Sequence, residues 1–201
     1  MSRALKSLSN YFRRSDKIFW LLSIAISSYA LLLIASVSRL SFTDPSYTNY
    51  FKTQLVAVII GYIGAILLTL IDYRAIAEYW YLIAGFCIFL IIYTLIFGIA
   101  AQGDAGVNAK AWIKLPGGFT FQPSELVKIG FMITFSKHLS VLKERGLITS
   151  FPQVVLLGLH ALIPVALSHF QGDDGAAVIF FFMFLLMSFS AGVQLRYFFG
   201  I

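Results

Sequence analysis

Long apolar runs separated by short polar segments form the dominant pattern of this 201-residue sequence. A helix of about 20 apolar residues crosses the hydrocarbon core of a bilayer and satisfies its backbone hydrogen bonds within its own segment. The pattern therefore predicts an all-α, polytopic bundle of six transmembrane helices. The predicted spans are Ile18–Ser38, Gln54–Ile71, Tyr79–Ala101, Leu126–Leu142, Val154–Ser168 and Ala176–Val193.

Composition and charge placement support a membrane protein and give it an orientation. Hydrophobic residues make up 59% of the chain and charged residues 12%, against roughly 25% charged residues in soluble domains. With the N-terminus in the cytoplasm, ten Lys and Arg residues fall inside and four outside, while Lys128 lies in a span. The sequence predicts a multi-pass protein of the bacterial plasma membrane with a cytoplasmic N-terminus. Its basic residues are expected to meet membrane lipid and not nucleic acid, and one membrane domain, 1–201, accounts for the chain.

The predicted outer loop before the fourth span carries the most informative residues. Lys110 and Trp112 lie in an amphipathic stretch, with Trp112 suited to the headgroup region. Ser124 is expected to cap the following helix, and Glu125 and Lys128 share one helix face and can pair. Because a lysine within a span is costly, two interpretations remain open. Lys128 either snorkels or pairs to fix helix packing, or it lines a polar cavity for an anionic head group.

An acidic turn between the fifth and sixth spans, residues 169–175, is the second group of interest. Asp173 and Asp174 are expected at the N-terminal end of the sixth span, where the helix dipole favours negative charge. They are either solvated capping carboxylates, or one of them faces inward to Lys128 or to a cation. The predicted topology places this turn on the same outer face as Lys128, which favours one shared site. The histidines lack metal-ligand spacing, so no metal site is predicted.

These motifs resemble a known family. Lys110-Ala-Trp-Ile, followed by Phe121-Gln-Pro-Ser-Glu-Leu-Val-Lys128, is similar to the signature of the SEDS proteins (shape, elongation, division and sporulation). The turn Gln171–Ala177 resembles the family's Q-P-D-x-G-T-A motif, with Gly172 and Ala176 in place of its Pro and Thr. Ile71-Asp-Tyr-Arg74 is most like the RodA branch. The resemblance implies a fold of roughly ten helices of bilayer-spanning length, of which this chain would be the N-terminal portion.

The resemblance also implies an activity. It indicates a peptidoglycan glycosyltransferase that polymerises lipid II and releases undecaprenyl diphosphate, in cell wall elongation and rod-shape maintenance, beside a class B penicillin-binding transpeptidase. The catalytic residue is unknown and is expected beyond residue 201. No cofactor is certain, although a divalent cation on the diphosphate is possible by general chemistry. The residues matching the family's central substrate cavity are Lys110, Trp112, Gln122, Ser124, Glu125, Lys128 and Asp173.

Two alternative functions belong to other classes. A transporter (flippase) of lipid-linked cell wall precursor should show polar residues at mid-span in several helices, where only Lys128 comes close. A non-catalytic membrane scaffold of the elongation or division machinery would recruit other enzymes, and it is favoured if the 201-residue form is the complete product.

Overall fold

The computed structural model describes residues 16–40, 45–69, 71–100, 110–115, 120–194 and 197. The chain divides into two compact units, Met1–Ile71 and Asp72–Ile201. Within the described residues, five helices are long and apolar enough to cross a membrane. The predicted all-α, polytopic class is therefore confirmed, whereas the single membrane domain over 1–201 stays a prediction.

The first unit contains two long helices, α1 (Lys17–Leu40) and α2 (Pro45–Thr69), which pack against each other. The hydroxyl of Tyr62 on α2 lies 3.1 Å from the hydroxyls of both Ser23 and Ser27 on α1. Side-chain hydrogen bonds of this kind join helices in an apolar environment. Helix α2 begins at Pro45, a favourable first helical residue, and its candidate membrane span, Phe51–Leu68, starts close to the predicted Gln54.

The second unit holds the remaining helices and a small hairpin. In chain order they are α3 (Tyr73–Glu78), α4 (Trp80–Phe97), β1 (Ile113–Lys114), β2 (Thr120–Phe121), α5 (Pro123–Glu144), α6 (Phe151–Phe170) and α7 (Asp174–Ala191). Strands β1 and β2 pair antiparallel, with Ile113 opposite Phe121. Asp72 is the N-cap of α3, and its side chain accepts a hydrogen bond from the backbone N–H of Arg74 at 2.9 Å.

Helix α5 contacts α3, α4, α6 and α7 and so forms the centre of the second unit. Phe135 of α5, Leu157 of α6 and Phe180 of α7 are fully buried in the core between these helices. Helix α5 is the fourth predicted span and forms over a wider range than predicted. It is the one long helix of the described residues that is not apolar enough for a candidate membrane span, since it carries charged residues such as Glu125 and Lys128.

The helix ends that carry the predicted site residues lie together at one end of the second unit. Asp173, at the start of α7, contacts Gln122, at the start of α5. Gln171, at the end of α6, contacts the Ile91 carbonyl in the last turns of α4. Two loops that are far apart in sequence are thereby placed side by side, as the shared-site prediction requires.

Candidate functional site

Helix α5 begins at Pro123, with Gln122 in the N-cap position. Proline suits the first helical position because its fixed φ is helical and its missing N–H would be unpaired there. The prediction that Ser124 caps this helix is wrong for the same reason, since Ser124 falls inside the first turn. Ser124 is buried, and its hydroxyl donates a hydrogen bond to the Asp173 carboxylate at 3.2 Å.

Asp173 joins the two helix starts. Its Oδ1 accepts a hydrogen bond from the backbone N–H of Ala176 at 3.0 Å and so caps α7. Its Oδ2 accepts hydrogen bonds from the Gln122 side-chain amide at 2.7 Å and from Ser124. Asp173 is thus both a cap and an inward-facing group, although its inward partners are Gln122 and Ser124 and not Lys128. Asp174 lies in the first turn of α7, as predicted.

Glu125 and Lys128 form the ion pair that their spacing predicts. The Lys128 Nζ lies 2.8 Å from the Glu125 Oε1. The Lys128 side chain is 16% exposed and the Glu125 side chain 60% exposed, so the cation is the sheltered partner. Both residues line an open cavity of about 540 Å³, whose other walls come from Phe121, Leu126, Ile129, Met132 and Met183. An ammonium group beside an apolar wall suits an amphiphile with an anionic head group.

The segment around Lys110 and Trp112 is attached to the bundle by backbone hydrogen bonds. The Lys110 N–H donates to the Gln171 carbonyl at 3.0 Å, and Trp112 exchanges two hydrogen bonds with Ile99 at 2.8 and 3.2 Å. The described part is therefore a docked hairpin and not only the amphipathic surface stretch that the sequence indicated. Lys110 is exposed and Trp112 half-buried at the end of the unit that carries Asp173.

The carboxylates of this region are already engaged by protein partners. Asp173 accepts three hydrogen bonds, Glu125 pairs with Lys128, and Asp174 lies 2.6 Å from His169. Among the residues that the structure describes, no three His, Cys, Asp or Glu side chains come together as metal ligands. The described residues by themselves do not fit a divalent cation. The expected cation stays a prediction, and no chemical step is routed through it.

Two polar features that the fold brings together were not predicted from the sequence: a histidine pair and a buried glutamine. His138 on α5 and His160 on α6 approach at 3.2 Å between their Nδ1 atoms, and the His160 Nε2 lies 3.3 Å from the Thr134 hydroxyl. All three line an apolar cavity of about 350 Å³ between α4, α5 and α6. The available signal was the four-residue spacing of Thr134 and His138, which places them on one face of α5. Gln171, whose side chain is buried, is the other polar residue that was not predicted to have a role.

Comparisons with known proteins agree with this arrangement. The sequence model of the FtsW/RodA/SpoVE family, described as a cell cycle protein, matches residues 16–201. The protein named probable peptidoglycan glycosyltransferase FtsW from Geobacter sulfurreducens is 32% identical over 189 residues, covering 92% of this chain and 48% of the relative. The chain thus spans about half the length of the curated relatives it matches.

Solved structures show the same likeness. The crystal structure of the rod shape determining protein RodA from Thermus thermophilus aligns with a TM-score of 0.73 and 26% identity, covering 91% of this chain and 56% of that one. A structure titled "Structural coordination of polymerization and crosslinking by a peptidoglycan synthase complex" aligns with a TM-score of 0.61 and 26% identity, covering 82% of this chain and 47% of that one. With five apolar helices among its described residues, and with these relatives, the chain is a multi-pass bacterial membrane protein. Matched from residue 16 to residue 201, it belongs to the FtsW/RodA/SpoVE family of cell cycle proteins, the SEDS family.

Proposed function

We propose that this chain provides the substrate-binding end of a peptidoglycan glycosyltransferase that polymerises lipid II. The proposal is supported by the name of the FtsW relative and by the arrangement of charged residues at one end of the second unit. The chain spans about half of that relative, so the activity is assigned to the whole protein.

The sheltered Lys128 beside an apolar wall is the observation that carries the proposal. Lipid II joins a long isoprenoid chain to a diphosphate, and its reaction breaks the bond between the sugar carbon and a diphosphate oxygen. Negative charge develops on that oxygen as the bond breaks, and a fixed cation in a site of low dielectric constant stabilises it. We assign this role to Lys128 and a supporting one to the exposed Lys110.

The two carboxylates serve to hold these cations in place. Glu125 orients the Lys128 ammonium through the 2.8 Å ion pair. Asp173 acts more indirectly, because its hydrogen bonds to Gln122 and Ser124 fix the start of α5, one turn before Lys128. The half-buried Trp112 is proposed to contact the sugar or the headgroup region of the lipid.

The orientation and the cellular role complete the proposal. The bias of basic residues supports a cytoplasmic N-terminus, which would place Lys128 and Asp173 near the outer face. Likeness to RodA and the sequence Ile71-Asp-Tyr-Arg74 support elongation, while the FtsW relative keeps division as the alternative. Depletion in growing cells separates the two, since loss of elongation gives round cells and loss of division gives filaments.

A class B penicillin-binding transpeptidase is the proposed partner. New glycan strands need crosslinking, and a solved structure that this chain resembles couples polymerization and crosslinking in its title. Affinity purification of the native protein from detergent-solubilised membranes should recover such a transpeptidase, detectable with a fluorescent β-lactam. Purification of the native protein without any β-lactam-labelled band would contradict the proposed partner.

Polymerisation of labelled lipid II by the purified native protein tests the activity. We expect Lys128→Ala to lower the rate by about 100-fold, the usual effect of removing a group that stabilises transition-state charge. Lys143→Ala is the matched control, since Lys143 is exposed in the last turn of the same helix. In cells, Lys128→Ala should abolish wall growth while membrane levels stay normal. Normal growth with Lys128→Ala would refute the assigned role and favour the snorkelling or scaffold interpretation.

One observation supports the transporter alternative. His138, His160 and Thr134 bring polar side chains from two helices to an internal cavity, which the sequence pattern did not suggest. A flippase would move fluorescent lipid II across the bilayer of proteoliposomes, where a membrane-impermeant quencher reports the exposed fraction. Transport by the wild-type protein that is lost in His160→Leu, without polymerisation by either protein, would favour this alternative.

A further inference from the structure

The segment from Lys110 to Gln122 contains the hairpin, and the turn between α6 and α7 contacts both of its ends. At one end, the Gln171 carbonyl accepts a hydrogen bond from the Lys110 N–H at 3.0 Å. At the other end, the Asp173 carboxylate accepts one from the Gln122 side chain at 2.7 Å. Two residues of a single turn therefore set where the segment begins and ends on the bundle.

The side chain of Gln171 in turn fixes this turn to a third element. Gln171 is 4% exposed, and its Nε2 donates to the Ile91 carbonyl of α4 at 2.7 Å, across 80 residues of sequence. Its backbone N–H donates to the Leu167 carbonyl of α6 at 3.2 Å. Burying an amide is unfavourable unless it is hydrogen-bonded, so this geometry is strongly preferred over alternatives that leave the amide unpaired.

The surface against which residues 110–112 dock is closely packed. A Cβ atom added to Gly98, at the end of α4, would overlap the Lys110 carbonyl, so the backbone can approach there only because Gly98 has no side chain. Ala111 is 3% exposed between this contact and the pairing of Trp112 with Ile99. A small shift of the α6–α7 turn relative to α4 would therefore break the Lys110 hydrogen bond and loosen the packing of Ala111, while Trp112 stays paired with Ile99.

From these contacts we infer that Gln171 is a positioning residue, which locks the α6–α7 turn to α4 and thereby holds Lys110 at the same end of the unit as Asp173. The inference rests on the proposed function only for the role of Lys110 toward the diphosphate. The docking of residues 110–112 through Gln171 is independent of any activity. Loss of the amide should loosen residues 110 and 111 while leaving the helices in place.

Cysteine labelling measures this docking directly. Ala111→Cys is introduced with Cys87→Ala, which removes the cysteine of the native sequence, and the native protein is reconstituted in nanodiscs. The buried thiol should react slowly with a maleimide. Gln171→Leu, which keeps the volume but removes the donor, should raise the labelling rate about tenfold, the expected effect of one lost buried hydrogen bond. Gln171→Asn keeps the amide on a shorter side chain and should give an intermediate rate.

A matched packing change controls for general loosening. Val154→Ala removes buried volume from the same helix α6, near its opposite end, and should leave the labelling rate unchanged. Equal labelling in the parent and Gln171→Leu proteins would overturn the inference. So would an equal rise in Val154→Ala, because Gln171 would then act only through stability.

Kinetics separate the inference from the proposed function. Because Lys110 is assigned to the charge that develops in the transition state, Gln171→Leu should lower kcat for lipid II several-fold with little change in KM. A rise in KM alone would refute this positioning role. If the wild-type protein does not polymerise lipid II at all, the proposed function fails, while the labelling rates still decide whether Gln171 docks the segment.

Discussion

Replacement of Asp173 tests whether its carboxylate joins the starts of α5 and α7. Asp173→Ala removes the α7 cap, worth about 1 kcal/mol, and two hydrogen bonds to Gln122 and Ser124. Bonds to charged acceptors are worth about 1.5–3 kcal/mol each, but Asp173 is half-exposed and the Ser124 bond is long, so about 1 kcal/mol each is appropriate. The free energy of unfolding should therefore fall by roughly 3 kcal/mol.

Asp173→Asn distinguishes hydrogen bonding from charge. Its side-chain oxygen can keep the cap, and its NH₂ can donate to the Gln122 carbonyl oxygen once the Gln122 amide rotates. We expect a loss of about 1 kcal/mol or less, because the hydrogen-bond network survives without the charge. Asp174→Asn is the neighbouring control, and its exposed pair with His169 predicts a change within about 0.5 kcal/mol.

The assay is reversible unfolding of the purified protein in mixed micelles, followed by the loss of helical circular dichroism as the SDS fraction rises. A double-mutant cycle with Gln122→Ala should give a coupling energy of about 1 kcal/mol with Asp173→Ala. Additive effects of the two changes would refute the proposed connection. Equal stability of the Asp173→Ala and Asp173→Asn proteins would also refute it. A hydrogen-bonding side chain at position 173 would then add no stability over alanine.

Two further predictions concern helix packing. A Cβ atom at Gly130 would overlap the Sγ of Cys87, so Gly130→Ala should destabilise the α4–α5 contact by about 1–3 kcal/mol. Adding Cys87→Ala to the Gly130→Ala protein should restore most of that loss in the same unfolding assay. In the first unit, Tyr62→Phe removes the hydroxyl that lies close to Ser23 and Ser27, and it should lower the free energy of unfolding by about 0.6 kcal/mol. A loss above about 2 kcal/mol would show that the change removed more than hydrogen bonding.

The helices could be predicted from the sequence because the length of an apolar run is a local property. All six predicted spans correspond to helices, and the pairing of Glu125 with Lys128 followed from their three-residue spacing. The presence of Asp173 and Asp174 at the start of α7 followed from the dipole argument. Two helices begin earlier than the predicted spans, because Pro45 and Pro123 start them within segments that carry polar residues.

The partners of the site residues could not be predicted, because they come from distant parts of the chain. Gln122 meets Asp173 across 51 residues, and Gln171 meets Ile91 across 80 residues. No periodicity encodes such a pair; it depends on which helix ends the bundle brings together. The contact of His138 with His160 was hidden for the same reason, since each histidine alone is unremarkable on its own helix.

The central position of α5 has a consequence for how the protein is made. Charged residues make a lone helix costly to insert, and α5 is the long described helix that is too polar to qualify as a span by itself. It contacts α4, α6 and α7, and Ser124 and Thr134 are buried in the folded unit. A nascent chain that stops at Glu144 lacks α6 and α7, so α5 should enter the bilayer poorly until they emerge. Membrane integration of this unit would then be a cooperative event among neighbours and not a sequence of independent insertions.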